Sequence, residues 1–387
     1  MSHHRSHLAT AVKVLQTHKV GEPLVHHLKR FFAADKKYGS QDRKQISALC
    51  YNFYRLGNAK NSETIEERII IATFLCSNKS NLFLQEINFD YHAKISLTIN
   101  GRLDFLGIDL KNIFPLQNQI GGDVDTKKFA SSFLHQPKFF LRIRPGKEVM
   151  VQAKLTNENI DFEEVTTSCI ALPQGFKTDT YFVTNKDVVV QDRNSQQVFN
   201  YLQRQDVYLK KDILVWDCCA ASGGKSILLH DILHGHIQLN VSDIRSGILN
   251  NLRSRFKEAG IKNYQAFTAN LLEEQPVSIE NKYDLIICDA PCTGSGTWSR
   301  TPEQTSFFDV TQIENYAAKQ LKIASNAIRS LVSDGLFFYI TCSVFKKENE
   351  DVVGILKEKF HLQVLQMEYL KGYEVQADTM FVAVLRK

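Results

Sequence analysis

From about residue 206 to its end, the sequence repeats one pattern: an apolar strand, a loop, then a helix. The strands read ILVWD, IQLNVSD, YQAFTAN, YDLIICDAP, GLFFYITCS, HLQVLQM and MFVAVLRK. Alternating elements of this kind bury both faces of each strand in a mostly parallel sheet covered by helices, which makes the fold class α/β. Sheets of this class take ligands beyond the carboxyl ends of their strands. Three of these ends carry acids or cysteines, and the search for function starts there.

The preceding residues have a different texture. Leu24, Val25, Leu28, Phe31 and Phe32 fall on one helical face, and Ile46, Leu49, Cys50, Phe53 and Tyr54 repeat that stripe, with Ser40 or Asp42 as N-cap and Gly57 as the stop. ETIEERIIIATFLC continues the helical character, and QIGGDVDTKK at 119–128 reads as a linker. FFLRIRP, DFEEVTTSCIAL and DTYFVTNKDVVVQD alternate and are rich in β-branched residues, as strands of a small sheet module are. The 387 residues thus divide into an expected helical domain at 1–125, an α+β module at 126–205 and an α/β domain at 206–387.

Composition narrows the function classes. No apolar run approaches the ~18–20 residues of a membrane helix, and MSHHRSHLAT has no signal-peptide core. A soluble, cytoplasmic protein is expected, with its eight cysteines as thiols rather than disulfides. Residues 1–60 hold 11 Lys and Arg against 3 Asp and Glu, while the remainder is slightly acidic. Positive charge concentrated in this way attracts a polyanion, so nucleic acid is the first partner to consider.

The first strand end is DILVWDCCAASGGKS. Asp217 closes the strand, and a small-residue loop with Gly223 and Gly224 lets backbone approach a ligand at a helix N-terminus. A phosphate-binding P-loop needs glycine where Cys219 stands, which argues against an ATPase. Asp243 ends the next strand about 20 residues beyond the glycine loop, where a ribose-hydroxyl acceptor belongs. The pattern suits an adenosine-bearing cofactor, and a noncatalytic nucleotide-binding domain is the alternative. The second end places Asp289 before Pro291-Cys292 and a Gly294/Gly296 turn, and the third ends in Cys342. Cys50, Cys76, Cys169 and Cys288 read as small buried side chains. With no CxxC pair and with His230, His234 and His236 spread over helix and loop, no metal is expected. One thiolate, an acid and a second thiol match a specific need. Cytosine carbon-5 accepts a methyl group only after a thiolate adds at carbon-6, and a base must then remove the carbon-5 proton.

At these residues the sequence resembles the RsmB/Nop/Sun family of RNA cytosine carbon-5 methyltransferases. The family's D-x-C-A-A-P-G-G-K-T stands here as DCCAASGGKS, its D-A-P-C-S-G-S-G as DAPCTGSG, and its Y-S-T-C-S with E-E-N-E as YITCS with KENE. VVVQDRNSQ and FLRIRP resemble the segments joining and opening the family's RNA-binding module, and GSQDRKQISALCYNFYRLG resembles a NusB-like helical domain. The resemblance implies a class I Rossmann-like methyltransferase domain with a seven-stranded sheet, S-adenosyl-L-methionine as cofactor, and RNA as partner. Ribosomal RNA is favoured over transfer RNA, and a monomer is expected. It implies that Cys219, Ala220, Ala221, Ser222, Gly223, Gly224 and Lys225 wrap the cofactor, that Asp243 holds its ribose, and that Asn270 stands near adenine in place of the usual Asp. Asp289 would touch both the cofactor and the cytosine edge, Cys342 would be the nucleophile, and Cys292 would assist release. Lys225 would favour the Cys342 thiolate by its charge. Departures from the pattern are Ser222 for proline, Lys347 for the first Glu after the nucleophile motif, and Asp378-Thr379-Met380-Phe381 for a Gly-Phe-Phe type ending. Arg142, Arg144 and the basic N-terminal helices are expected to be exposed phosphate contacts. The rival readings are a noncatalytic RNA-binding or ribosome-assembly protein, an enzyme with Cys292 as nucleophile, and a DNA substrate.

Overall fold

All seven strands read from the C-terminal half pair into one sheet in the computed structural model, which describes residues 3–204, 212–273 and 282–387. The expected boundary at 205/206 lies outside the described residues. The strands are β5 (Ile213–Asp217), β6 (Ile237–Asp243), β7 (Tyr264–Thr268), β8 (Tyr283–Asp289), β9 (Leu331–Thr341), β10 (Gln363–Leu370) and β11 (Met380–Arg386), in the order β10-β11-β9-β8-β5-β6-β7. β5 pairs in parallel with β6 and β8, β6 with β7, and β8 with β9, while β10 and β11 add antiparallel edges. The connections run outward from β5 on one side and restart at β8 on the other, so the topological switch point lies between these two acid-ended strands. The register then fixes what meets there. Asp217 lies opposite Val241 and Ile287, and Asp289 lies opposite Ile340, which carries Cys292 and Cys342 just past two neighbouring strand tips. Val215, Leu239, Ile287 and Phe338 are among the side chains that fill the core beneath these tips.

The chain divides into two compact units: 1–120 with 125–136 and 297–310, and 121–124 with 137–296 and 311–387. The second unit also holds a four-stranded antiparallel sheet of β1 (Phe139–Ile143), β2 (Glu163–Thr166), β3 (Cys169–Leu172) and β4 (Val188–Val190), in the order β2-β3-β1-β4. DFEEVTTSCIAL supplies two of these strands, β2 and β3, as a hairpin that turns at Thr167–Ser168. Arg142 and Arg144 correct a second expectation. Arg142 is only 4% exposed and bonds the Asp231 carboxylate at 2.5 Å and Gln191 at 2.8 Å, and Arg144 takes the other Asp231 oxygen at 2.8 Å. Both arginines fasten the small sheet to the helix Gly224–Ile232, since a buried carboxylate needs cationic partners.

The first unit is helical, with α1 (His3–Thr17), α2 (Leu24–Ala34), α3 (Ser40–Arg55) and α4 (Ile65–Cys76) around Leu28, Phe32, Ile46 and Phe74. Val25 turns out 53% exposed, and His27 takes the buried place beside Leu28, because i and i+1 diverge by 100° around a helix. The N-cap of α3 is Gly39 rather than Ser40 or Asp42; Asp42 is its capping-box partner, accepting the Gly39 N–H at 2.9 Å. Thr297–Val310, late in the sequence, packs with these helices: Glu303 accepts the Leu24 N–H at 3.0 Å. Among the described residues, no helix is long and apolar enough to cross a membrane.

Candidate active site

The loop after β5 is wound tightly against the next strand. The Ala220 N–H reaches the Ser242 carbonyl at 2.9 Å, and the Ala221 N–H reaches an Asp243 oxygen at 3.0 Å. Ala221 (φ 46°) and Gly223 (φ 82°) both adopt left-handed backbone. A Cβ on Gly223 would lie 2.6 Å from the Phe256 ring, so only glycine fits there. Ser222, the departure from proline, is held instead by Arg255, which donates to its hydroxyl at 2.7 Å and its carbonyl at 3.0 Å.

Beyond these tips opens a cleft of about 500 Å³ lined by Cys219, Ala221, Asp243, Asn270, Asp289, Cys292 and Cys342, with Ile244 and Leu271 among its apolar walls. Ala220, Ser222, Gly223, Gly224 and Lys225, expected to wrap the cofactor, are not among its lining residues. The Asp243 carboxylate is opposed by burial, but Arg245 and the Ala221 N–H outweigh burial and hold its pKa below the ordinary range. The Asn270 carbonyl oxygen accepts the Leu272 N–H at 3.1 Å and its amide donates to Glu273 at 3.0 Å.

Lys225 pairs with Asp289 at 2.5 Å. Burial works against the Lys225 charge, yet Asp289, with Cys342 nearby, raises the pKa of the ammonium above its usual value. The Cys292 and Cys342 sulfurs are 3.3 Å apart. That contact, followed by burial, pushes the Cys292 pKa far up, and either sulfur can donate to the other. All eight cysteines are free.

Asp217 lies beneath the loop, 1% exposed, accepting from the Ser226 hydroxyl at 2.6 Å, while its second oxygen has no partner among the described residues. Burial pushes its pKa from 3.8 up to about 7; the Ser226 hydrogen bond opposes this and the Asp289 charge adds to it. A raised folded-state pKa means the folded chain binds the proton more tightly than the unfolded chain. The contribution to stability is therefore full below about pH 4 and lost as pH rises to about 7, by up to about 4 kcal/mol. Asp217→Asn is expected to flatten that part of the stability profile in urea titrations at pH 5 and pH 8. A variant with the wild-type slope would refute this.

Two groupings were missed in the sequence. Glu348 is fully buried, and its carboxylate accepts from the Thr293 N–H (2.9 Å), the Thr293 hydroxyl (2.5 Å), the Ser343 hydroxyl (2.6 Å) and the Gln320 amide (2.8 Å). Thr293 follows Cys292 and Ser343 follows Cys342, so one carboxylate ties both cysteine loops together. Asn349 adds bonds to Thr341 at 2.6 Å and to the Ser343 carbonyl at 2.8 Å. The signal was an acid and an amide seven and eight residues past the end of a buried strand. The second grouping is Cys218, Cys219 and Cys288, whose sulfurs lie within 4.8 Å of one another, although Cys288 had been read as an inert apolar side chain. The other departures have partners of their own. Lys347 pairs with Glu314, both exposed, and the Thr379 N–H meets the Gly296 carbonyl at 2.9 Å. A Cβ on Gly296 would lie 2.0 Å from the Thr379 carbonyl oxygen, which requires glycine in that turn.

Residues 201–385 match the family described as 16S rRNA methyltransferase RsmB/F. The chain is 24% identical over 231 residues to the Probable ribosomal RNA small subunit methyltransferase B of Bacillus subtilis, covering 59% of this chain and 51% of that protein. It is 25% identical over 163 residues to the human tRNA (cytosine(72)-C(5))-methyltransferase NSUN6, covering 39% and 34%. The chain thus spans about half or less of the length of these curated relatives. Among solved structures, PH0851 superposes with a TM-score of 0.70 at 17% identity over 97% of both chains. NSun6 from Pyrococcus horikoshii, solved with SFG, gives 0.58 at 16% identity over 70% of this chain and 97% of its own. These likenesses carry the fold. The matched residues 201–385 contain the three strand-tip motifs, so the family model and the motif resemblance point to the same RsmB/F methyltransferase family.

Proposed function

We propose that the chain is an S-adenosyl-L-methionine-dependent RNA methyltransferase that forms 5-methylcytosine in ribosomal RNA. The observation that carries this reading is the pair of sulfurs 3.3 Å apart, on loops past adjacent parallel strands, beside the Lys225–Asp289 pair. The cofactor fits the residues present. A cleft of about 500 Å³ suits a ligand of that size, Asp243 offers acceptors for ribose hydroxyls, and Asn270 with Ile244 and Leu271 offers an amide and apolar walls for a base. A structural neighbour solved with SFG, an analogue of this cofactor, supports the same reading. When bound, the cofactor supplies the methyl group.

The side chains of this chain do the rest. Cys342, as thiolate, adds to carbon-6 of the cytosine, while Asp289, fixed by Lys225, holds the N3/N4 edge and stabilises the adduct. Bonding removes the charge on Cys342 that opposes ionisation of Cys292. Cys292 then passes its own proton to solvent water and, as thiolate, takes the carbon-5 proton. The carbon-6–sulfur bond breaks, and Cys342 leaves as thiolate. Attack on the ring face requires an unstacked cytosine, so the substrate is a single-stranded or flipped base.

We place residues 1–125 and 126–205 as RNA-binding regions, the first NusB-like, ahead of the methyltransferase domain at 206–387, in a monomeric, cytoplasmic protein. The excess of 11 cationic over 3 acidic residues in the first 60 supports this. Ribosomal RNA is favoured by the Bacillus subtilis relative, and transfer RNA, favoured by human NSUN6, is the alternative. The test is transfer of labelled methyl groups from S-adenosylmethionine to ribosomal and transfer RNA, followed by nucleoside analysis. Label in 5-methylcytidine of ribosomal RNA is expected, label in transfer RNA would exchange the substrate, and label in neither would favour a noncatalytic RNA-binding protein.

A further inference from the structure

On the helical unit, three ligating atoms converge. His3 and His7 stand one turn apart on α1, and Asp42 faces them from α3. Asp42 Oδ1 lies 3.2 Å from His3 Nε2 and 2.9 Å from His7 Nε2, and all three atoms fall within 4.8 Å of one another. A tetrahedral ion with ligands about 2.0–2.1 Å away spaces its ligand atoms about 3.3 Å apart. The observed spacing is therefore close to that of a metal site and needs only small side-chain movement to accept an ion.

The surroundings orient the ligands. Asp42 Oδ2 is fixed by the Gly39 N–H at 2.9 Å, which leaves Oδ1 directed at the two imidazoles. His7 is buried; its Nε2 donates to Asp42 Oδ1, and its Nδ1, which has no partner among the described residues, can take the ring proton when an ion replaces that bond at Nε2. His3, by contrast, is 71% exposed in its side chain, which opens the site to an entering ion and to a water as fourth ligand.

We propose that His3, His7 and Asp42 bind one borderline divalent cation of the zinc, cobalt(II) or nickel(II) class. Two imidazoles and a carboxylate suit these ions rather than calcium or magnesium, which take oxygen ligands. The ion would join α1 to α3 and stabilise the helical unit, since it binds the folded arrangement alone. This inference is independent of the methyltransferase reading.

The test uses the full chain, freed of metal by a chelator and titrated with cobalt(II) and then zinc near neutral pH. One equivalent is expected to bind, with cobalt d–d absorption but no thiolate charge-transfer band, and zinc is expected to raise the melting temperature reversibly. His7 is buried and its replacement can unfold the helices, so the informative variants are His3→Gln and Asp42→Asn, with circular dichroism to check helix content. Each is expected to bind zinc at least ~10-fold more weakly. No saturable binding up to roughly 100 µM, wild-type affinity in His3→Gln, or a thiolate band marking the Cys218, Cys219 and Cys288 cluster would each overturn the proposal.

Discussion

Cys342→Ala is expected to abolish methyl transfer, by about 10⁴-fold or more, and to form no covalent complex with RNA. Cys292→Ala is expected to lose turnover to a similar degree for the opposite reason. With Cys342 intact and the base gone, the adduct forms and stays, and a protein–RNA band should survive a denaturing gel. The asymmetry follows from the contact between the sulfurs. Contact with Cys342 and burial push the Cys292 pKa far up, which disfavours Cys292 as the attacking thiolate. If instead Cys342→Ala traps RNA and Cys292→Ala does not, the roles must be exchanged.

Glu348→Ala should be the most disruptive substitution outside the reacting groups. It removes a fully buried carboxylate and strands four donors, from Thr293, Ser343 and Gln320. Breaking such a network on one side costs about 3–5 kcal/mol, read as a shift of the urea midpoint. Activity measured where the variant is still folded should fall about 10²-fold, because a displacement near 1 Å between reacting groups costs that much. Glu348→Gln keeps one acceptor oxygen and should lie between the two. An unchanged urea midpoint in Glu348→Ala would show that the network does not hold the cysteine loops. This position also explains why Lys347 is tolerated one residue earlier: Lys347 points to the exposed Glu314, and Glu348 carries the internal bonds.

Much of this was readable in one dimension. The period of apolar runs set the strands, the acids at their ends marked the ligand side, and the glycines at 223 and 296 sat where a Cβ would meet the Phe256 ring or the Thr379 carbonyl. These are local properties, decided by a few neighbouring residues and by backbone sterics. Cys292 and Cys342 could be proposed as partners because each follows a strand of the same parallel sheet. Their 3.3 Å separation could not be read off, because it depends on the β8–β9 register and on Glu348 holding the two loops together.

The errors share one cause. Arg142 and Arg144 looked like exposed phosphate ligands because an arginine in a strand carries no mark of what lies across from it. Their partner, Asp231, is 89 and 87 residues away. Val25 and His27 exchanged places because hydrophobicity alone does not say which side of a helix the neighbours cover. Thr297–Val310 joined the helical unit although it stands in the middle of the strand–helix pattern. The periodicity, the turns and the chemical types at the strand tips could be read along the chain, since these need only short-range sterics and burial. Tertiary structure alone decided the ion-pair partners, the bridging role of Glu348 and the convergence of His3 and His7 on Asp42, because each joins residues whose distance in space is unrelated to their distance along the chain.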